Sequence, residues 1–140
     1  MCKRLGRHTV NLEKPVYITA AASTAGKKEG EGPLAGMFDI VLDDDLWGEQ
    51  SWEKAESKLV RETFSLVIKK AEKEPRDIDL CVSGDLLDQV SASTFGLRDI
   101  GVPYLGIYGA CSTMGEAMGL ASMLIVGGFA EDIAAGASSH

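Results

Sequence analysis

The sequence predicts an α/β fold, a layered architecture with a largely parallel sheet. From residue 51 onward, segments with the spacing of amphipathic helices alternate with short apolar segments, in the order helix, strand, helix, strand, helix, strand. This alternation is typical of parallel strands joined by right-handed crossover helices. The 140 residues are 45% hydrophobic and 25% charged, a composition that suits one soluble globular domain.

The first fifty residues carry weaker patterns. A β-branched stretch at Pro15–Thr19 predicts a strand. The segment after it, AASTAGKKEGEGPLAG, predicts a long loop rich in Gly and Lys, which leads into the acidic segment DDDLWGEQ. Loops of this length are commonly functional or covered by a partner, and a plain solvated excursion is the alternative.

The region from residue 51 supplies the predicted core. Ser51 predicts the N-cap of a helix that Pro75 stops, and its apolar positions recur every three or four residues: Trp52, Ala55, Leu59, Phe64, Val67, Ile68 and Ala71. Buried strands are predicted for IDLCVSGD (78–85), for Val102–Tyr108 and for IAAGASS (133–139), and a weaker helix for 90–99. A further helix from 112 to about 126 carries one apolar stripe: Met114, Ala117, Met118, Ala121, Leu124 and Ile125.

Composition also excludes several classes of function. With 14 basic and 21 acidic residues the net charge is −7, which disfavours binding to nucleic acid. No window reaches the run of about 20 apolar residues that a membrane span needs, and no apolar stretch follows the basic N-terminus, so neither a transmembrane segment nor a secretory signal is expected. The three cysteines, Cys2, Cys81 and Cys111, form no C-x-x-C pair, which argues against a disulfide framework and against a zinc site.

The turn around Cys111 is the candidate site. In GACST the thiol lies between an apolar strand and a helix, and its small neighbours permit a sharp turn. At a helix N-terminus the free N–H groups and the helix dipole favour a thiolate or a bound anion, so Cys111 is a candidate nucleophile and Ser112 and Thr113 are candidate anion ligands. The alternative is that Cys111 packs as a small buried thiol and Ser112 only caps the helix.

Other polar residues are weaker candidates. Lys27 and Lys28 are either anion ligands or ordinary solvated charges. Asp85 and Asp88 follow a predicted strand, where their oxygens suit a calcium ion; the alternative for Asp85 is to cap a turn or the next helix.

Across its whole length the chain resembles the stage V sporulation protein AD family, within the thiolase-like superfamily. The resemblance is carried by PVYI (15–18), EGPLAGMFD (31–39), WEKAESKL (52–59), SGDLLDQ (83–89), GIYGACSTMGEA (106–117) and GGFAEDIAAGASSH (127–140). It implies a layered thiolase-like fold of which residues 1–140 are only the N-terminal portion. That agrees with a chain that stops at His140, directly after a predicted strand.

The resemblance also implies a function and a place. It implies a non-catalytic subunit that binds dipicolinic acid, free or as its calcium chelate, and that works with the other SpoVA proteins in dipicolinate uptake during sporulation and release during germination. It implies synthesis in the forespore cytoplasm, peripheral association with the spore inner membrane, a homodimer, and neither a cofactor nor a resident metal. Cys111 aligns with the nucleophile of thiolase-like enzymes, so an acyltransferase or ketoacyl synthase is the alternative.

The two histidines bear on that alternative. His8 precedes the predicted fold and is expected to be solvated, whereas His140 is a candidate ligand of the Cys111 site or a surface residue. In the catalytic relatives the cysteine is served by His and Asn, or by two His, from the other half of the fold, and no such half is present in these 140 residues.

Overall fold

The computed structural model describes residues 3–87 and 89–139 and confirms the α/β prediction. The strands are β1 (Lys3–Leu5), β2 (Thr9–Asn11), β3 (Thr24–Ala25), β4 (Ile40–Val41), β5 (Leu80–Asp85), β6 (Tyr104–Gly106) and β7 (Ile133–Ser138). The helices are α1 (Lys27–Gly30), α2 (Trp52–Lys70), α3 (Ser91–Leu97) and α4 (Thr113–Gly127). The order α2, β5, α3, β6, α4, β7 is the alternation that the sequence predicts.

The main sheet has three strands in the order β6, β5, β7, and both pairings are parallel. Cys81 in the central strand lies opposite Tyr104 on one side and Ala134 on the other. Asp85, the last residue of β5, lies opposite Ser138, the last residue of β7. Because the strands are parallel, their carboxyl ends meet at one edge of the sheet, where ligand sites of open α/β sheets commonly lie.

Helix α2 begins where the sequence predicts. The Ser51 hydroxyl accepts a hydrogen bond from the Lys54 N–H at 3.4 Å, as an N-cap residue does. The helix ends at Lys70, before Pro75 is reached, and the chain then turns through Glu72, which has a positive φ of 57°.

The core lies between α2 and the sheet. Its buried members are Val60, Phe64, Ile68, Ile78, Cys81, Leu97, Val102 and Ala134. Cys81 is 1% exposed, and burial raises the pKa of its thiol to about 12. This cysteine is therefore a packing residue that stays protonated at physiological pH.

The strand predicted at Pro15–Thr19 is wrong, because these residues form no regular element. The first strand of this region is instead β3, which pairs in parallel with β4. The loop predicted at 21–36 contains β3 and α1 and runs into a 3₁₀ turn at Ala35–Met37. Asp39 fixes the segment, since its carboxylate accepts the Ser23 N–H at 2.9 Å and binds the Lys70 ammonium at 2.7 Å.

Three burial predictions also need correction. The strand predicted at 133–139 forms as β7, but Ala134 is its one buried residue. The strand predicted at Val102–Tyr108 is confined to β6, an edge strand of the sheet, and Leu105 and Tyr108 are 41% and 50% exposed. The stripe predicted on α4 is only half right, because the buried face consists of Thr113, Ala117 and Ala121, whereas Met114 and Met118 are each more than 40% exposed.

One helical stretch, Ala110–Gly127, is long and apolar enough to cross a membrane by length and composition alone. Only 17% of it is buried in the fold. The expected absence of a transmembrane segment therefore stays a prediction.

Candidate functional site

Cys111 lies at the carboxyl edge of the main sheet. After β6 the Ile107 N–H donates to the Ser83 carbonyl at 3.0 Å, which extends the pairing with β5 by one residue. The chain then turns through a 3₁₀ helix, Ala110–Ser112, into α4. The predicted arrangement of strand, tight turn and helix around Cys111 is confirmed.

The turn is held by its own hydrogen bonds. Ala110 has a positive φ of 50°, a conformation that costs a residue with a β-carbon about 1–2 kcal/mol. The buried Thr113 hydroxyl donates to the Ala110 carbonyl at 2.8 Å and accepts the Gly109 N–H at 3.3 Å. A strained residue fixed by a buried hydroxyl is a feature often found at functional sites.

The backbone donors that the sequence suggested for an anion are already engaged. The Ser112 N–H donates to the Gly109 carbonyl at 3.0 Å, and the Thr113 N–H donates to the Ala110 carbonyl. The Ser112 hydroxyl lies 2.7 Å from the Gly109 carbonyl and 2.5 Å from Glu116 Oε1. The turn therefore carries a carboxylate, that of Glu116 beside Ser112, and its negative charge disfavours binding of a free anion at the turn. The ligand role of Cys111, Ser112 and Thr113 stays a prediction.

The side chain of Cys111 is exposed, whereas that of Cys81 is buried. Within the described residues Cys111 is therefore not packed as a small buried thiol. Ser112 occupies the N-cap position of α4, but its side chain makes no capping hydrogen bond.

Gly84 in β5 makes the close approach of the turn possible. A β-carbon at this position would overlap the carbonyl of Ile107 and would lie 3.1 Å from the methyl group of Thr113. Only glycine leaves the backbone of the turn room to rest directly on the central strand.

Asp85 ends the same strand and is fully buried. Its carboxylate accepts the Ser93 N–H at 2.8 Å and the Val90 N–H at 3.2 Å, so it caps the start of α3. The structure thus supports the capping alternative for Asp85 and contradicts its placement as a cation ligand, since its oxygens are turned to backbone donors inside the fold.

A second polar pair at this edge was missed by the sequence reasoning. Glu56 in α2 is fully buried, and its Oε1 accepts the Ser138 hydroxyl at 2.7 Å. The pair fixes the end of β7 to α2. The available signal was the spacing of Glu56, which lies one residue after Ala55 and four before Val60, on the face that α2 buries.

The remaining candidates do not join this site in the described residues. Lys27 and Lys28 are exposed on α1, which packs against β3 and β4 rather than the main sheet. His8 is exposed, as expected. Asp88 and His140, like Cys2, lie outside the described residues, so their predicted roles stay predictions.

The described ranges contain no group of three or more His, Cys, Asp or Glu side chains placed to hold a metal ion. A groove of about 620 Å³ lies between α2, α4, β7 and residues 16–24. Its lining is mainly apolar and does not include Cys111. It is therefore a poor match for a dianionic ligand.

Comparison with known proteins gives the family. The family model described as stage V sporulation protein AD (SpoVAD) matches residues 6–140. The chain belongs to this family. A curated family member, stage V sporulation protein AD of Bacillus subtilis (strain 168), is 38% identical over 138 residues, which cover 99% of this chain. The family is a sporulation family, which sets the chain in the context of the developing spore.

The same alignment covers 41% of the Bacillus subtilis protein. The chain thus spans less than half the length of this relative. Activity, ligands and partners of a whole SpoVAD protein are accordingly matters of proposal for the present chain.

Proposed function

We propose that the chain forms part of a dipicolinate-binding subunit of the SpoVA transport complex, located peripherally at the spore inner membrane, and that the Cys111 turn contributes to ligand binding rather than to catalysis. Membership of the SpoVAD family supports the sporulation context. The observation that carries the site assignment is the exposed Cys111 on a tight turn of small residues at the carboxyl edge of the sheet.

The charges around the turn favour the calcium chelate as the ligand. Dipicolinate has two carboxylates, and Glu116 would repel the free dianion at this position. The one-to-one chelate with calcium is neutral, and its metal ion accepts further oxygen ligands such as a carboxylate. In this proposal Glu116 approaches the calcium ion, while the small side chain of Cys111 leaves room for the ligand ring.

Calorimetric titration of the intact protein with dipicolinate, with and without calcium, tests the site. Cys111→Ala should weaken binding modestly, by about 0.5–1.5 kcal/mol, the contribution of one neutral hydrogen bond. Cys111→Asp should abolish binding of free dipicolinate, because it adds a second carboxylate that repels the dianion. It should also weaken binding of the calcium chelate, because the larger side chain takes up room that the ligand ring needs. Unchanged affinity of Cys111→Asp would show that the ligand binds elsewhere.

Substitution of Glu116 tests which form of the ligand binds. Glu116→Gln should lower the affinity for the calcium chelate and raise the affinity for free dipicolinate, since it removes a metal ligand and a repelling charge together. Asp99→Asn, which removes a largely exposed carboxylate from another part of the chain, is the matched control and should leave both affinities unchanged. A fall in both affinities with Glu116→Gln would contradict the assignment of the chelate.

Because the Cys111 thiol is exposed, acyl transfer is the alternative function. An acyltransferase would label rapidly with an alkylating reagent, accept an acyl group from acyl-CoA, and lose all turnover in Cys111→Ala. A binding subunit would still bind dipicolinate in the same variant, weakened by no more than about tenfold, so this single substitution separates the two functions.

A further inference from the structure

The hairpin formed by β1 and β2 differs in charge from the rest of the chain. Four of the 14 basic residues and one of the 21 acidic residues lie in the first 14 positions, a local charge of +3 against −10 for the remaining 126 residues. An acidic protein with one basic projection has a polarised charge distribution, and that projection is the part that an anionic surface would attract.

The hairpin is also open to solvent. Every residue from 4 to 11 is exposed, and the contacts of β1 and β2 are mainly with each other rather than with the helices and the main sheet. A hairpin of two three-residue strands is marginally stable by itself in water. A surface that orders and covers it would therefore stabilise it.

Two arginines lie near the tip of the hairpin. The turn Gly6–His8 joins the strands, with Gly6 at a positive φ of 64°. The Arg4 guanidinium reaches across the turn to the Arg7 carbonyl at 2.8 Å, so both arginines lie at this end. Val10, directly opposite Arg4, is about half exposed and adds apolar surface on the same face as this charge, whereas Leu5, also about half exposed, lies on the other face.

We propose that the tip of this hairpin docks on a bilayer that contains anionic lipids. Arginine at a negatively charged membrane surface binds headgroup phosphates, and the exposed Val10 on the same face as Arg4 suits the shallow interfacial layer. This inference rests on the membrane location in the proposed function but not on the ligand site, since the hairpin and the Cys111 turn belong to separate parts of the fold.

Sedimentation of the intact protein with vesicles provides the test. Binding is expected to vesicles of phosphatidylcholine mixed with phosphatidylglycerol and not to phosphatidylcholine alone. It should weaken strongly between about 0.1 M and about 1 M salt, as the Debye length falls from ~10 to ~3 Å. No binding to the anionic vesicles would overturn the proposal, while dipicolinate titration of the same sample would still report on the ligand site.

Variants assign the binding to the hairpin. Arg4→Gln combined with Arg7→Gln should lower the partition coefficient about 25-fold, at about fivefold for each charge removed. Lys69→Gln combined with Arg76→Gln removes the same charge from an exposed part of the chain and should lower it far less. Equal losses in the two double variants would show that only overall charge matters and would overturn the assignment.

Replacement of both arginines by lysine keeps the charge and should preserve most of the binding. A thermal melt of each variant completes the experiment. If the glutamine pair unfolds at a clearly lower temperature than the control pair, the hairpin is packed inside the intact protein, and docking on lipid is refuted.

Discussion

Gly84→Ala tests whether the Cys111 turn rests on the central strand. The substitution adds one methyl group to β5, outside the turn that carries the candidate ligand residues. The new β-carbon would overlap the carbonyl of Ile107 and press on the methyl group of Thr113. Because the first of these contacts is with backbone, it cannot be relieved by rotation of a side chain.

The expected magnitude follows from two opposing effects. Alanine restricts the unfolded chain more than glycine does, which stabilises the fold by about 0.4–1 kcal/mol. Overpacking costs about 1–3 kcal/mol, with the higher values expected where backbone must move. We therefore expect a net loss of about 1–2 kcal/mol and, since the turn is displaced, a weaker affinity for dipicolinate.

Chemical denaturation and ligand titration of the intact protein measure the two effects. Gly36→Ala is the control, because a β-carbon there meets no heavy atom within 4 Å, and it should be neutral or slightly stabilising. If Gly84→Ala unfolds at the same denaturant concentration as Gly36→Ala, the turn does not rest on β5 and the reasoning is refuted.

Four further predictions concern other parts of the fold. Asp85→Ala should destabilise the protein by about 3 kcal/mol, because the buried Ser93 N–H and the partly buried Val90 N–H both lose their side-chain acceptor, whereas Asp99→Ala should change the free energy of unfolding by less than about 0.5 kcal/mol; equal effects in denaturation would contradict the capping role. The N–H groups of Glu131 and Asp132 hold the pKa of Asp79 below its ordinary value, so the stabilisation from this carboxylate is present above about pH 4 and is lost as the pH falls through the lowered pKa. Asp79→Asn should make the free energy of unfolding fall less steeply as the pH is lowered below about 4. An unchanged pH dependence would show that other carboxylates cause the fall. Gly119→Ala in α4 should raise the free energy of unfolding by about 1 kcal/mol, since its β-carbon has open space in this chain, and a loss instead would reveal that another part of the intact protein packs there. The exposed edge at β6 should pair with a second copy, so light scattering should show a dimer at micromolar protein, and a monomer would contradict that pairing.

The sequence predicted the fold best where signals agreed along long segments. For α2, the N-cap at Ser51 and nineteen residues of helical spacing both predict a helix, and the structure has a helix there. The prediction of a strand at Pro15–Thr19 failed because β-branched residues indicate a preference for extended backbone but do not identify a strand to pair with. On α4, apolar residues lie on most sides of the helix, so spacing could not distinguish the buried Ala117 and Ala121 from the exposed Met114 and Met118.

The sequence predicted where the candidate site lies, but it did not predict that the backbone N–H donors of the site are already hydrogen-bonded. Small residues between a strand and a helix indicated a tight turn at Cys111, and the turn is there. That the turn is a 3₁₀ helix, which uses the N–H groups of Ser112 and Thr113 internally, depends on backbone angles such as the positive φ of Ala110 that no residue type dictates. Glu56 was missed because its partner, Ser138, is 82 residues away in sequence and is brought near only by the packing of β7 on α2.

Strand β5 is hydrogen-bonded on both sides, and Val82 and Ser83 within it are fully buried. Amide hydrogens of such a central strand exchange with solvent only in the rarest openings of a protein. The Ile107 amide, although outside any strand, is donated to Ser83 and should share that slow exchange. The Cys111 turn is thus attached to the part of the fold that opens least often. A ligand that binds there, as proposed, would meet a surface that is already ordered, and its association rate would be set by diffusional encounter rather than by the folding of a loop.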